Sequence, residues 1–140
     1  MYNYNFLNND WYRNNGNNPY QQNVSLFNPT EGYNRGILFS DLYSQYKNYK
    51  PATLTANNDR GRMLLDLGRL SFAAHDLNLY LDLNPSDESM LALFNDYRQQ
   101  ADQIKREYEA KYGPLDVSSN QLDQTPFQWA QGNWPWEGGF

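Results

Sequence analysis

Apolar residues recur at alternating intervals of four and three along two stretches of the chain. The first stripe consists of Met63, Leu67, Leu70, Ala74, Leu77 and Leu81, and the second of Met90, Phe94, Tyr97, Ala101, Ile104 and Tyr108. This spacing keeps the side chains of each stripe on one face of an α-helix. Because only a few residues separate the stripes, the two helices are predicted to run antiparallel. The pattern therefore predicts an all-α fold whose main body, within residues 59–140, is a two-helix hairpin.

Turn-forming residues mark the ends of the predicted helices. Asn84 is suited to cap the second helix, Pro85 to occupy its first position, and Asp87 to bond back to the cap. Gly113 and Pro114 follow the second stripe, and this pair is typical of a helix end. These five residues are expected to define the hairpin turn and the C-terminal stop.

The first 58 residues lack a sustained helical period. Residues 1–31 are rich in Asn alternating with aromatic residues, which predicts a low-complexity and mostly disordered segment. Residues 32–58 are more apolar and form a predicted arm and linker, either a short helix or an extended segment, in which Pro51 is a stop. The apolar residues of the arm are as dense as in a binding segment, but not as dense as in a hydrophobic core. Phe39, Leu42 and Tyr43 are its predicted docking residues.

The C-terminal tail is aromatic and irregular. Phe127, Trp129, Trp134, Trp136 and Phe140 lie within fourteen residues, among Pro and Gly that exclude a long helix. The tail either closes over the hairpin or docks on another protein. A hairpin of this size has little core of its own, since domains below roughly 70–80 residues seldom gain more than ~3–5 kcal/mol from one. Trp129, Trp134 and Trp136 are therefore predicted as docking residues.

The composition narrows the function classes. The net charge is −5, which argues against nucleic acid as a partner. Zero Cys excludes disulfides and thiolate chemistry, and the apolar runs are far shorter than the ~20 residues of a membrane span. The N-terminus has neither a basic start nor an apolar stretch, so we expect no signal peptide.

Few residues point to chemistry of their own. His75 is the single histidine, and no Glu-x-x-His pair or nucleophile elbow accompanies it. We therefore expect no catalytic residue, no metal site and no cofactor. Asp66, Asp76 and Asp82 are expected to be solvated beside the first stripe. Gly68 costs about 1 kcal/mol relative to Ala inside a helix, which leaves two explanations: a close approach or a tolerated defect.

Three motifs resemble the spore coat protein family CotJB. The first motif, similar to that family's Leu-Tyr-Leu-Asp-Thr-His-Pro-x-Asp core, is Leu77-Asn78-Leu79-Tyr80-Leu81-Asp82 followed by Asn84-Pro85 and Asp87. The second, which matches its Tyr-Glu-x-x-Tyr-Gly-Pro-Leu, is Tyr108-Glu109-Ala110-Lys111-Tyr112-Gly113-Pro114-Leu115. The third, which resembles its Trp-rich ending, is Trp129 with Trp134-Pro135-Trp136-Glu137. A shorter similarity joins residues 35–46 to the companion coat protein CotJA, which suggests a fusion of two small partners.

The resemblance implies a structural protein of the spore coat, made in the mother cell and deposited on the forespore. It also implies assembly with other coat proteins, among them a manganese-catalase-like protein (CotJC), and homo-oligomers are left open. The chain is expected not to be an enzyme. Two alternatives stand beside this hypothesis: an accessory subunit that stabilises or gates the catalase-like enzyme, and a generic helical adaptor.

Overall fold

The computed structural model describes residues 24–131. Its helices are α1 (Pro29–Arg35), α2 (Asp59–Leu83) and α3 (Glu88–Tyr112), and its short 3₁₀ turns are Ser40–Leu42, Asn120–Asp123 and Gln128–Ala130. No strand occurs within this part of the chain, although Leu26 and Phe39 form one isolated antiparallel bridge. The predicted all-α fold with a two-helix hairpin is confirmed.

The hairpin consists of α2 and α3, each 25 residues long and therefore about 37 Å in length. Contacts at its open end fix the antiparallel direction: Arg60 Nε near the start of α2 donates to Tyr108 Oη near the end of α3, at 2.8 Å. The predicted stripes supply most of the core. Its buried members from the two helices are Leu70, Ala73, Ala74, Leu77, Tyr97, Ala101 and Ile104. Tyr108, 2% exposed, is buried further along the same face of α3.

The N-cap of α3 lies three residues later than predicted. Asp87, not Asn84, is the N-cap of α3, because its Oδ1 accepts the backbone N–H of Met90 at 3.1 Å. Asn84 instead ends α2, with its backbone N–H donating to the Tyr80 carbonyl. The prediction that Asn84 caps α3 and that Pro85 is its first residue is therefore wrong. The end at Gly113 and Pro114 is as predicted, since α3 stops at Tyr112.

Residues 24–43, which we call the N-terminal module, form a third layer on the hairpin. Within the module, α1 is capped by Asn28, whose Oδ1 accepts from the Glu31 N–H at 2.9 Å, and it ends at Gly36 with φ +77°. The predicted division between residues 31 and 32 falls inside this helix. Leu38 is 0% exposed and belongs to the same core as the hairpin stripes. The expectation that this arm lacks the density of a core is therefore wrong.

Two less regular segments connect and extend these layers. Residues 44–58, which we call the strap, lead from the module to α2 and are exposed except for the half-buried Pro51. After α3, residues 113–131 fold back beside the open end of the hairpin. The buried Glu109 holds this return, because its Oε1 accepts the Leu115 N–H at 3.0 Å. Lys105 Nζ also lies 2.6 Å from Asp116 Oδ2.

Candidate docking surfaces

The three docking residues predicted in the arm have different environments. Phe39 is 9% exposed and stacks on Tyr80, with ring centroids 5.3 Å apart. Its prediction as a partner-docking residue is corrected, because its ring is used to attach the module to α2. Leu42, in contrast, is 70% exposed. Tyr43 is half-buried, edge-on to Phe27 at 5.9 Å.

Arg35 organises the outer side of the module. Its guanidinium lies 4.8 Å from the ring centroids of both Phe27 and Tyr43. Glu31 Oε1 lies 2.8 Å from Arg35 Nη2, one helical turn earlier, and this hydrogen bond raises the pKa of Arg35. A cation between two aromatic faces is a stable arrangement, so Tyr43 has a structural role in the module besides any contact with a partner.

The strap carries several exposed large hydrophobic side chains, among them the most exposed aromatic ring within residues 24–131. Tyr46 is 83% exposed, Tyr49 is 45% exposed and Leu54 is 43% exposed. Together with Leu42 they form what we call the strap surface, four large apolar side chains within thirteen residues. Tyr46 and Tyr49 flank a tight turn, in which Asn48 has φ +66° and the Tyr49 N–H donates to the Tyr46 carbonyl at 3.0 Å. Isolated exposed apolar residues are ordinary, but four of them close together in the sequence make this segment a candidate interaction site.

The hairpin turn is held by one carboxylate. Asp87 accepts from Met90 N–H and Ser89 Oγ through Oδ1, and from Tyr80 Oη through Oδ2 at 3.1 Å. Partial burial opposes ionisation of Asp87, but these hydrogen bonds outweigh it and lower its pKa. The pKa of Tyr80 is raised, mainly by burial and then by the hydrogen bond to Asp87. Asn84 and Pro85 lie exposed in the same turn.

Trp129 lies at the open end of the hairpin. It is half-buried in the 3₁₀ turn Gln128–Ala130 and lines a cavity of about 300 Å³ together with Arg60, Tyr108 and Tyr112. Phe127, two residues earlier, is 53% exposed. Trp134 and Trp136 lie outside the described residues. Of the predicted tail residues, the structure therefore places only Trp129, next to the chain's own aromatic side chains.

Two contacts that attach the module to α2 went unrecognised in the sequence. Asp76 Oδ2 accepts the Leu38 N–H at 2.8 Å, so this carboxylate is not simply solvated as expected. Gly68 faces Tyr33: a Cβ built at Gly68 would lie 2.9 Å from Tyr33 Oη. This selects the close-approach explanation for Gly68, although the approaching group comes from α1. The helix signal Asn28-Pro29-Thr30-Glu31 was present in the sequence and could have revealed α1.

His75 is exposed on α2. Among residues 24–131, no three His, Asp or Glu side chains are grouped so that they could hold a metal ion. None of the helices in the described range has the length and apolar character needed to cross a membrane.

Comparison with known proteins gives one match. No curated protein and no solved structure matches this chain. The family model described as CotJB protein matches residues 61–137. This range takes in nearly all of α2, the whole of α3 and the aromatic return, and it exceeds half of the 140 residues. The chain therefore belongs to the CotJB protein family.

Proposed function

We propose that this chain is a structural protein of the spore coat that docks on other coat proteins, one of them manganese-catalase-like, through exposed apolar side chains. Membership of the CotJB family suggests a role in the spore coat and implies that location. The family is one of coat components and not a known family of enzymes. The identity of the partner goes beyond the family match and is part of the proposal.

The strap surface is the observation that carries the proposal. Leu42 and Tyr46 keep 70% and 83% of their side-chain surface in water, whereas the core leucine Leu38 keeps none. Covering apolar surface gains about 25 cal/mol per Å², and tyrosine is enriched in protein interfaces. A partner that covers these side chains would gain this energy without disturbing the hairpin core.

The aromatic tail is the second part of the proposed interface. Phe127 is exposed on the return, and Trp134 and Trp136 follow it within nine residues along the chain. Aromatic residues near the centre of an interface often supply most of its binding energy. Trp129 supports the tail from the hairpin side, because it lines the cavity beside Arg60 and Tyr108.

The double variant Leu42→Ser/Tyr46→Ser tests the proposal. Both positions are exposed, so the variant is expected to fold as the parent does. Loss of its incorporation into purified spore coats, and of its co-purification with the catalase-like protein, is the expected result. Leu83→Ser is the matched control, because Leu83 is 84% exposed and lies at the end of α2, outside the strap surface.

Equal incorporation of the double variant and the Leu83→Ser control would contradict docking through the strap. Peroxide turnover by the catalase-like protein, measured with and without this chain, distinguishes docking from gating. Docking alone leaves turnover per active site unchanged, whereas an accessory subunit changes it.

A further inference from the structure

The N-terminal module is closed by its own hydrogen bonds. Its two ends run beside each other, and the Phe27 N–H donates to the Leu38 carbonyl at 2.8 Å while the Ser40 N–H donates to the Ser25 carbonyl at 3.0 Å. Asp41 Oδ2 in turn accepts the Ser25 N–H at 3.0 Å. These contacts tie the two ends of residues 24–43 together on either side of α1.

The module attaches to α2 through a small set of specific contacts. Phe39 stacks on Tyr80, and Tyr33 meets Phe72 edge-on at 5.8 Å. The Leu38 N–H donates to Asp76, which is the one direct polar link between module and α2 described above. These contacts show that the outer face of α2 is complementary to this segment of sequence, and every copy of the chain carries both surfaces.

The strap that joins the two surfaces is long and weakly attached. The strap, residues 44–58, has fifteen residues, enough to reach ~50 Å when extended. The strap is exposed apart from Pro51, and the hydrogen bond from Arg69 Nη2 to the Leu54 carbonyl is long, at 3.4 Å. The strap is therefore long enough for the module to reach the α2 face of another copy.

We infer that the module also docks in trans, on the α2 face of a second copy of this chain, so that copies are joined by exchange of residues 24–43. The contacts in the exchanged pair are those seen within one chain, so the exchange adds no new interface and loses none. Short flexible linkers give effective concentrations in the millimolar range. Docking within one chain dominates in dilute solution, and exchange competes when copies are concentrated to that level.

The topology of exchange determines the assembly. Two copies that exchange modules reciprocally form a closed dimer, whereas a module passed from each copy to the next forms an open chain. The strap allows both, because its reach exceeds the length of α2. This inference rests on the module, the strap and α2 alone and is independent of the proposed coat function.

Mixing two complementary full-length variants tests the inference. Gly68→Leu blocks the α2 face, because Gly68 faces Tyr33 and not α3, and leucine is a good helix former. Leu38→Asp spoils the module and leaves α2 unchanged. Neither variant can pair its own module with its own α2 face. A 1:1 heterodimer on mixing, seen by native mass spectrometry and absent for each variant alone, is the expected result.

Two helical variants that remain separate monomers after mixing at millimolar concentration would overturn the inference. If either variant fails to fold, a chain with a shortened strap tests exchange between copies instead. Deleting residues 44–56 leaves a path of at most ~25 Å from Leu38 to Asn58, whereas Asp76 lies ~27 Å along α2 from Asn58. In this shortened chain the module and the α2 face are both intact, but the module can contact only the α2 face of another copy.

The shortened chain is expected to form dimers or longer assemblies at concentrations at which the parent is a monomer. A shortened chain that is monomeric or unfolded at these concentrations counts against exchange, because pairing in trans would restore its core. The assembly state of the shortened chain does not depend on whether Leu42→Ser/Tyr46→Ser enters the spore coat. Docking through the strap surface and exchange of the module can therefore be refuted independently of each other.

Discussion

Tyr80 is the residue at which three parts of the molecule meet. Its ring stacks on Phe39 of the module, its hydroxyl donates to Asp87 of the hairpin turn, and its carbonyl accepts from Asn84 at the end of α2. The burial that raises its pKa also removes competing water from the hydroxyl. A substitution of Tyr80 is therefore expected to weaken the contacts of both the hairpin turn and the module.

Tyr80→Phe separates these roles. It removes the hydrogen bond to ionised Asp87 and keeps the stacked ring, so we expect the free energy of unfolding to fall by about 1–2 kcal/mol. Tyr80→Ala removes both the hydrogen bond and the stacked ring, so we expect it to lower the free energy of unfolding further. Urea denaturation followed by circular dichroism measures both values. Equal stability of Tyr80→Phe and the parent would show that the hydroxyl contributes nothing to the turn.

Gly68 and Tyr33 are expected to be coupled. In the parent, Gly68→Ala improves helix propensity by about 1 kcal/mol but places a Cβ against Tyr33, so the gain is offset. In a Tyr33→Ala background the obstacle is gone, and Gly68→Ala is expected to stabilise by about 1 kcal/mol. A double-mutant cycle of urea midpoints gives the coupling. Identical effects of Gly68→Ala in both backgrounds would contradict the close approach.

At the scale of elements, the long helices follow from local pattern and the short one does not. Each stripe of α2 and α3 extends over about five turns, so the periodic signal is strong. In contrast, α1 has seven residues, fewer than two turns, and its cap residues had to be recognised without any stripe. Its position on α2 depends on Asp76, which contacts Leu38 across 38 residues of sequence and cannot be found from local spacing.

The hairpin turn shows how tertiary contacts select among local signals. Asn84 and Asp87 are both good N-caps by residue type. The Asp87 cap has an additional hydrogen bond from Tyr80 Oη on the preceding helix, which Asn84 does not use. Tertiary contacts also separate two of the candidate docking residues: Leu42 is exposed, while Phe39, three residues earlier, is buried against Tyr80.

The C-terminal return is expected to loosen in acid. The ammonium group of Lys105 and the hydrogen bonds from Ser118 lower the pKa of Asp116 to about 2. Because this carboxyl is harder to protonate in the folded chain, its stabilising effect is complete above its unfolded pKa of about 4 and is lost as the pH falls towards 2. Amide exchange of residues 113–131 between pH 5 and 2 measures this loss.

Asp116→Asn provides the control for the acid transition. It lacks the titrating carboxyl, so its return is expected to exchange faster at pH 5 and to change less on acidification. A parent return that keeps the same protection at pH 2 and pH 5 would show that the Lys105–Asp116 pair does not hold it.

At the scale of the whole molecule, the apolar side chains fall into two populations. One is buried where the module, α2 and α3 meet, and the other is displayed on the strap surface and at Phe127. The net charge of −5 makes copies of the chain repel one another, which disfavours non-specific association of the displayed side chains. The proposed docking therefore uses the displayed population, while the buried population maintains the fold.

The three tail tryptophans are expected to divide between these populations. Trp129 lines the cavity with Tyr108, so Trp129→Ala is expected to lower the stability of the hairpin end. Trp134→Ala/Trp136→Ala changes none of the described core residues and is expected to weaken binding to the catalase-like partner by at least ~30-fold, the ~2 kcal/mol typical of an interface hot spot. Titration by isothermal calorimetry measures the affinity, and circular dichroism verifies the helices.

The pattern across these variants is what distinguishes docking from folding. Unchanged helix content with weakened binding in the double variant, and lower stability in Trp129→Ala, would place Trp134 and Trp136 in the partner interface. Full affinity after both tryptophans are replaced would leave the strap surface as the docking element. In that case Leu42→Ser/Tyr46→Ser is expected to account for the whole loss of binding, because no other group of large apolar side chains within residues 24–131 is displayed so densely.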